Sequence, residues 1–189
     1  PDTLGILTPT ESYTFMKAIV DRFPQAHFEF HAHNDYDLSV ANVMEALRAG
    51  AKGLHLTVNG MGERTGNAPL ASTIAVMRDF LPEYKTSVNE KSLYSVSKLV
   101  ETFSGVRVPS NKPIVGEHVF TQTAGIHADG DKKNNLYFSR LMPERFGRQR
   151  LYALGKTSGK ANIENNLRDL GITLSDADLK RVTQRIIEL

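Results

Sequence analysis

The sequence predicts an α/β fold: the C-terminal part of a (β/α)8 TIM barrel followed by a mostly helical linker subdomain. Three observations carry that expectation. Residues 27–35, "HFEFHAHND", and residues 51–60, "AKGLHLTVNG", alternate apolar and polar side chains with the period of a strand. Amphipathic helical patterns precede, separate and follow them, as in consecutive βα units of a parallel sheet. After about Leu81 the pattern turns irregular and polar before becoming helical again. The expected division is therefore residues 1–81 as the last βα units of a barrel and residues 82–189 as helical linker subdomains.

The elements follow in order. "PDTLGILTP" reads as the end of a strand with its loop, without a leading element. A helix starts next, with Thr8 as candidate N-cap, Pro9 at the first helical position and Glu11 completing a capping box. Phe15, Ile19, Val20 and Phe23 are its expected apolar face. In the first strand His27, Glu29, His31 and His33 share one side, and Phe28, Phe30 and Ala32 the other. A helix over "SVANVMEALRAG" has Ser39 as candidate cap and Gly50 as its stop. The second strand puts Leu54, Leu56 and Val58 on one face and Gly53, His55, Thr57 and Asn59 on the other. The Gly-rich loop "NGMGERTGN" and a helix from about Pro69 to Phe80 complete the unit. Beyond them "VNEKSLYSVSKLVETFSG" reads as an amphipathic helix. Two short helices close the chain, one capped by Ser158 and stopped by Gly171, the other opened by a Ser175–Asp178 box.

Both strands are apolar on one face only. In a doubly wound sheet helices cover both faces, and both should be apolar. In a barrel the helices cover the outside, and inward groups near the C-terminal mouth are free to do chemistry. The polar groups cluster toward the C-terminal strand ends, which favours the barrel. Two strands and a stub cannot close one, so an N-terminal barrel portion is expected as a partner in the fold.

Composition excludes several function classes. The 189 residues are 40% hydrophobic and 23% charged, ordinary for a soluble globular chain. A formal charge of +2 without a Lys/Arg run gives no footing for nucleic acid. The absence of cysteine rules out disulfides and thiolate metal sites. No apolar run approaches the roughly 20 residues of a membrane span and no signal peptide is visible, so the expected address is cytoplasmic.

The chemistry-bearing residues start with His31 and His33. Two apart on a strand, they leave the same face, where two neutral imidazoles can hold a divalent cation. A hydrogen-bonded structural pair is the alternative, and the same-face Glu29 and His55 weigh toward the metal. The glycines of "NGMGERTGN" permit close backbone approach, either to a ligand or simply to the barrel rim. In "AGIHADGDKKNNLY", His127 and Tyr137 stand ten apart, and both side chains can move protons.

Taken together, "PDTLGILTP", "FEFHAHND", "NGMGERTGN", "TQTAGIHADG" and "YALGKTSGKA", in this order, resemble the 2-isopropylmalate, citramalate and homocitrate synthase family over nearly the whole chain. "TQTAGIHADGDKKNNLY" is most similar to the citramalate and isopropylmalate branch. The resemblance implies a (β/α)8 catalytic domain that condenses acetyl-CoA with a 2-oxo acid on a divalent cation (Mn, Mg or Zn). It implies His31 and His33 as metal ligands and Asn67 as a ligand or neighbour of the metal. It further implies Thr3 as the group that binds the oxo-acid carboxylate, and His127 and Tyr137 as catalytic residues of a subdomain reaching over the partner of a homodimer. The family's Arg-Asp-Gly-x-Gln motif, with its aspartate ligand, is absent, as are a mid-barrel glutamate and the C-terminal sensing domain. The expected activity is 2-isopropylmalate synthesis from 2-oxoisovalerate. The alternatives are citramalate synthesis from pyruvate, and a non-catalytic fragment that only assembles with an N-terminal half. Hydroxymethylglutaryl-CoA lyases share His-x-His-Asn but lack the "GIHADG" to "SGKA" appendage.

Overall fold

The computed structural model of the chain describes residues 1–123, 130 and 139–188. These form two compact units, Pro1–Gly116 and Glu117–Leu189.

In the first unit, α1 spans Pro9–Arg22 and begins as its sequence demands. Thr8 Oγ1 accepts from Glu11 N at 3.3 Å, and Glu11 Oε2 accepts from Thr8 N at 2.8 Å, with Pro9 at the first helical position. Its buried face differs from expectation. Ser12 and Met16 are buried and Val20 packs on the core, while Phe15 and Phe23 remain exposed. The helix α1 packs against is α2 (Ser39–Arg48).

Strands β1 (Glu29–His31) and β2 (Gly53–His55) pair in parallel, with Glu29 opposite Gly53, Phe30 opposite Leu54 and His31 opposite His55. The chain's opening residues pair on the other edge of β1. Asp2 bridges Ala32 in parallel, Asp2 N donating to His31 O at 2.8 Å and His33 N to Asp2 O at 3.3 Å. The strand ending read from "PDT" is thus observed. Phe30 and Ala32 are fully buried with Met16, Val43 and Ala46, and Leu54 and Leu56 pack on the same cluster. One face of the sheet is covered by helices and the opposite face carries the imidazoles, as the alternation predicts.

Two local expectations need correction. Ser39 does not cap α2; it is the first helical residue, and the cap comes from Asn34, whose Oδ1 accepts from both Ser39 N and Ser39 Oγ. Gly50, at φ +105°, does end the helix. The second strand does not alternate through Asn59. Val58–Gly60 turn as a 3₁₀ segment with Asn59 at φ +61°, a left-handed conformation that asparagine tolerates. Asn59 therefore leaves the polar face. Its amide donates to Ser97 O at 3.0 Å and accepts from Ser97 Oγ, tying the turn to α4 (Leu93–Ser104). Helix α3 covers Leu70–Phe80. The unit runs to Gly116 because Val108 N also bonds α4, through Glu101 Oε1 at 2.8 Å.

The second unit holds a two-stranded parallel sheet, β3 (Thr121–Gln122) with β4 (Leu151–Tyr152), and helices Lys160–Asp169 and Asp176–Glu188. Asn162 Nδ2 donates to Thr123 O at 2.6 Å and Asn166 Nδ2 to Tyr152 O at 2.7 Å, so asparagines stitch the first of these helices to the strands. Ser175 Oγ accepts from Asp178 N, forming the expected helix start. Ser158 is not a cap: Gly159 holds that position, and Ser158 Oγ instead accepts from Gly155 N at 2.9 Å.

Candidate active site

The site forms where β1 runs out. The chain is extended through His31, Ala32 and His33, so both imidazoles leave one face, their ring centroids 5.0 Å apart. Across the sheet His55 lies 5.7 Å from His31. Burial, reinforced by the neighbouring imidazoles, lowers the His31 pKa from its ordinary value, which favours the neutral ring with a lone pair to give.

The Gly-rich loop returns to the same place. His33 and Asn67 form an antiparallel bridge, and Ala68 N donates to Ala32 O at 3.1 Å. A Cβ at Gly66 would lie 1.8 Å from Gly60 O, and one at Gly62 would lie 2.6 Å from Asn67 Nδ2. The glycines are therefore required to close the loop over the Asn67 side chain. Asn67 Nδ2 donates to Met61 O at 3.3 Å, which turns Oδ1 the other way.

The two residues of this bridge each carry a buried polar atom without a partner among the described residues. His33 Nδ1 and Asn67 Oδ1 are both buried and have no hydrogen bond among the described residues. Unpartnered buried atoms occur elsewhere, such as Asn42 Oδ1 and Thr73 Oγ1. Among the described residues, only at this bridge do two of them belong to paired residues, beside the imidazole of His31. Buried polar groups without partners are costly unless a ligand completes them. Two imidazoles and an amide oxygen are donors suited to a divalent cation. Among the described residues no group of three or more His, Cys, Asp or Glu side chains converges, so they supply only part of a coordination shell.

Glu29 sits on the same face but is engaged elsewhere. Its carboxylate pairs with His55 Nε2 at 2.6 Å and His27 Nε2 at 3.2 Å. The His55 contact, then that of His27, holds the Glu29 carboxyl below the usual carboxylate range.

Sequence reading left Arg64 and Asp35 without roles, although both lie inside the quoted motifs. Arg64 grips Asp35 with two hydrogen bonds, at 2.7 and 2.9 Å, and Nη2 also donates to Thr3 O at 2.8 Å. This latch joins the Gly-rich loop, the turn after β1 and the opening loop. The oppositely charged residues in "HND" and "GERTGN" were the available signal. Asp2 was also missed; its buried carboxylate accepts from Ile6 N and Leu7 N and shapes the loop that carries Thr3. Thr3 itself is exposed, and Arg64 fixes its carbonyl. His127 and Tyr137 lie outside the described residues.

Comparison with known proteins bears on this arrangement. Residues 1–100 match the HMGL-like family model, and residues 114–189 match the homocitrate synthase post-HMGL domain-like model. A probable 2-isopropylmalate synthase of Ignicoccus hospitalis is 40% identical over 189 residues, covering all of this chain and 47% of that protein. A putative (R)-citramalate synthase of Methanopyrus kandleri is 38% identical over 189 residues, again covering all of this chain and 37% of that protein. The chain thus spans less than half the length of these relatives. Among solved structures, an HMG-CoA lyase of Bacillus subtilis superposes with a TM-score of 0.51 at 26% identity, over 57% of this chain and 38% of that one.

Proposed function

The chain belongs to the HMGL-like family, within its 2-isopropylmalate, citramalate and homocitrate synthase branch, and on that premise we propose that it supplies the metal-holding end of a barrel that condenses acetyl-CoA with a 2-oxo acid. One observation carries the reading: His33 Nδ1 and Asn67 Oδ1, both buried and without a partner among the described residues, belong to two residues joined by a bridge beside His31, whose pKa burial lowers. The lyase reading of the same fold is the weaker one, because residues 114–189 match a domain that follows the HMGL-like region in homocitrate synthases.

In this proposal His31, His33 and Asn67 hold a divalent cation of the Mn, Mg or Zn kind. A bound cation supplies Lewis acidity at the oxo-acid carbonyl. The latch from Arg64 to Thr3 O fixes the opening loop so that the Thr3 hydroxyl receives the substrate carboxylate. His127 and Tyr137 serve the proton that leaves the acetyl methyl group and the proton delivered to the new alkoxide. Attack of the acetyl carbon on the oxo carbon forms the new C–C bond. Water then cleaves the thioester, releasing CoA thiol and a carboxylate. The rest of the barrel comes from an N-terminal portion, and the working unit is a homodimer.

The oxo acid we propose is 2-oxoisovalerate, making the product 2-isopropylmalate of leucine biosynthesis; pyruvate, giving citramalate, is the competing reading. Thiol release by the whole protein with each acid in turn tests both. Thiol release with acetyl-CoA and 2-oxoisovalerate, abolished by chelator and restored by a divalent cation, is expected. Turnover of pyruvate alone would move the assignment to citramalate. No thiol release with any short 2-oxo acid would overturn the condensation.

A further inference from the structure

A groove lies on the other side of the Gly-rich loop from Asn67's buried oxygen. It encloses about 250 Å³ between loop residues 59–66 and the segment 106–112. Both walls hang from one face of α4. Asn59 bonds Ser97, Val108 N bonds Glu101, and Ser97 and Glu101 are buried one helical turn apart. The groove is therefore held open by packed structure rather than by two independent loops.

Its chemistry has one sign. Arg64, Arg107 and Lys112 line it, and no acidic residue does. Arg64 is committed to Asp35 and Thr3 O, which leaves Arg107 and Lys112 as the available charges. Glu101 lies within electrostatic reach of Arg107, but its carboxylate already accepts from Lys98 Nζ at 2.9 Å and Val108 N. Glu63, on the loop itself, has its side chain 83% exposed and its carboxylate 3.9 Å from Arg64 Nη1, so it adds to the commitment of Arg64 and does not line the groove. Lys112 is half-buried, and its Nζ has no acceptor among the described residues. It rests against Gly60, where even a methyl group would come within 3.4 Å of it. A tight turn aims it there: Lys112 N donates to Pro109 O at 2.9 Å and Gly116 N to Lys112 O at 2.7 Å. On the loop the consecutive amides of Gly62, Glu63, Arg64 and Thr65 have no acceptor among the described residues. Consecutive amides in a glycine-bearing turn, faced by two cations, form a concavity for an anion with several oxygens.

We propose that this groove is a phosphate-binding site, which Arg107, Lys112 and the loop amides would fill with a phosphate or pyrophosphate group. Two sources present that chemistry: the phosphates of CoA, which rests on the condensation reading above, and a free phosphate metabolite, which does not.

Titration calorimetry of inorganic pyrophosphate into the whole protein at low salt tests the site without reference to turnover. Saturable binding is expected, weakening as salt rises. It should loosen at least tenfold in Arg107→Gln/Lys112→Met, which keeps the lysine stem's packing, and persist in Lys112→Arg. No saturable binding to the parent protein, or equal binding to the double variant, would overturn the proposal. A second arm identifies the source. If CoA is the occupant, the double variant raises KM for acetyl-CoA but not for phosphate-free acetyl-pantetheine. If a free phosphate is the occupant, pyrophosphate binding is lost while both KM values stay. A protein that condenses nothing yet binds pyrophosphate through Lys112 would defeat the condensation reading and leave the site standing.

Discussion

The two ends of one strand face behave differently. At its N-terminal end Glu29, His27 and His55 satisfy one another, Glu29 accepting from both rings. At its C-terminal end His33 Nδ1 and Asn67 Oδ1 are buried without partners among the described residues. The residue types are nearly the same, and the face is continuous. A saturated network needs nothing further and rigidifies the sheet. An unsaturated buried pair carries a cost that a ligand can remove. The difference sets the proposed metal-holding end of the strand apart without appeal to the motif, and it makes predictions that separate the two ends.

The largest effect should follow from the unsaturated end. In the whole protein His33→Ala or His31→Ala is expected to lower turnover by ~10²-fold or more, because even partners behind a metal ligand are typically worth 10–100-fold. Cation affinity by calorimetry should fall in parallel. Cation binding and turnover like those of the parent protein in either variant would break the distinction between the ends. His127→Ala and Tyr137→Phe should also lower turnover, by ~10²–10⁴-fold, but leave cation affinity alone. Mixing the His127→Ala and His31→Ala proteins should restore part of the activity if the catalytic subdomain acts across a dimer.

The opposite face of β1 gives a contrast of another kind. Phe30 is 1% exposed in the main core. Phe30→Ala should cost ~3–5 kcal/mol of stability, read as a shift of the denaturant midpoint in the whole protein. A loss below about 1 kcal/mol would mean that helices do not cover this face. At the saturated end, Glu29→Gln keeps an acceptor for one imidazole. It should change cation affinity by less than about threefold, well short of a lost ligand or its supporting partner. A drop as large as that of His33→Ala would merge the two ends into one site.

The smallest effect concerns pH. Glu101 is held below the usual carboxylate range first by Lys98 and then by Val108 N. Its folded-state pKa lies below its unfolded value, so its stabilisation is present above the ordinary glutamate value of about 4.3 and is lost as pH falls through the folded value. Glu101→Gln should therefore be less stable than the parent protein at pH 7, with the gap closing as the solution is acidified. A gap that widened in acid would reverse the sign and refute the pairing.

The sequence by itself determined the alternation of β1, the capping box at Thr8 and the stop at Gly50, because each depends on neighbours a few residues apart. It also singled out His31 and His33, since a period of two puts both on one face whatever surrounds them. Local pattern could not say which side of α1 is buried. Ser12 and Met16 are buried in place of Phe15 and Phe23 because the buried side is the one turned to α2 and the sheet, and where those lie is not written in α1 itself. The same holds for Asn59, which left its expected face to bond Ser97, and for Ser39, whose cap comes from Asn34. Arg64 and Asp35 were legible as residues but not as a pair, because 29 positions separate them and only the return of the Gly-rich loop brings them together. Tertiary structure alone decided which polar atoms end up satisfied. Glu29 has partners and Asn67 Oδ1 has none among the described residues, since hydrogen bonding is settled by which groups arrive within about 3 Å of one another and not by which groups the chain contains.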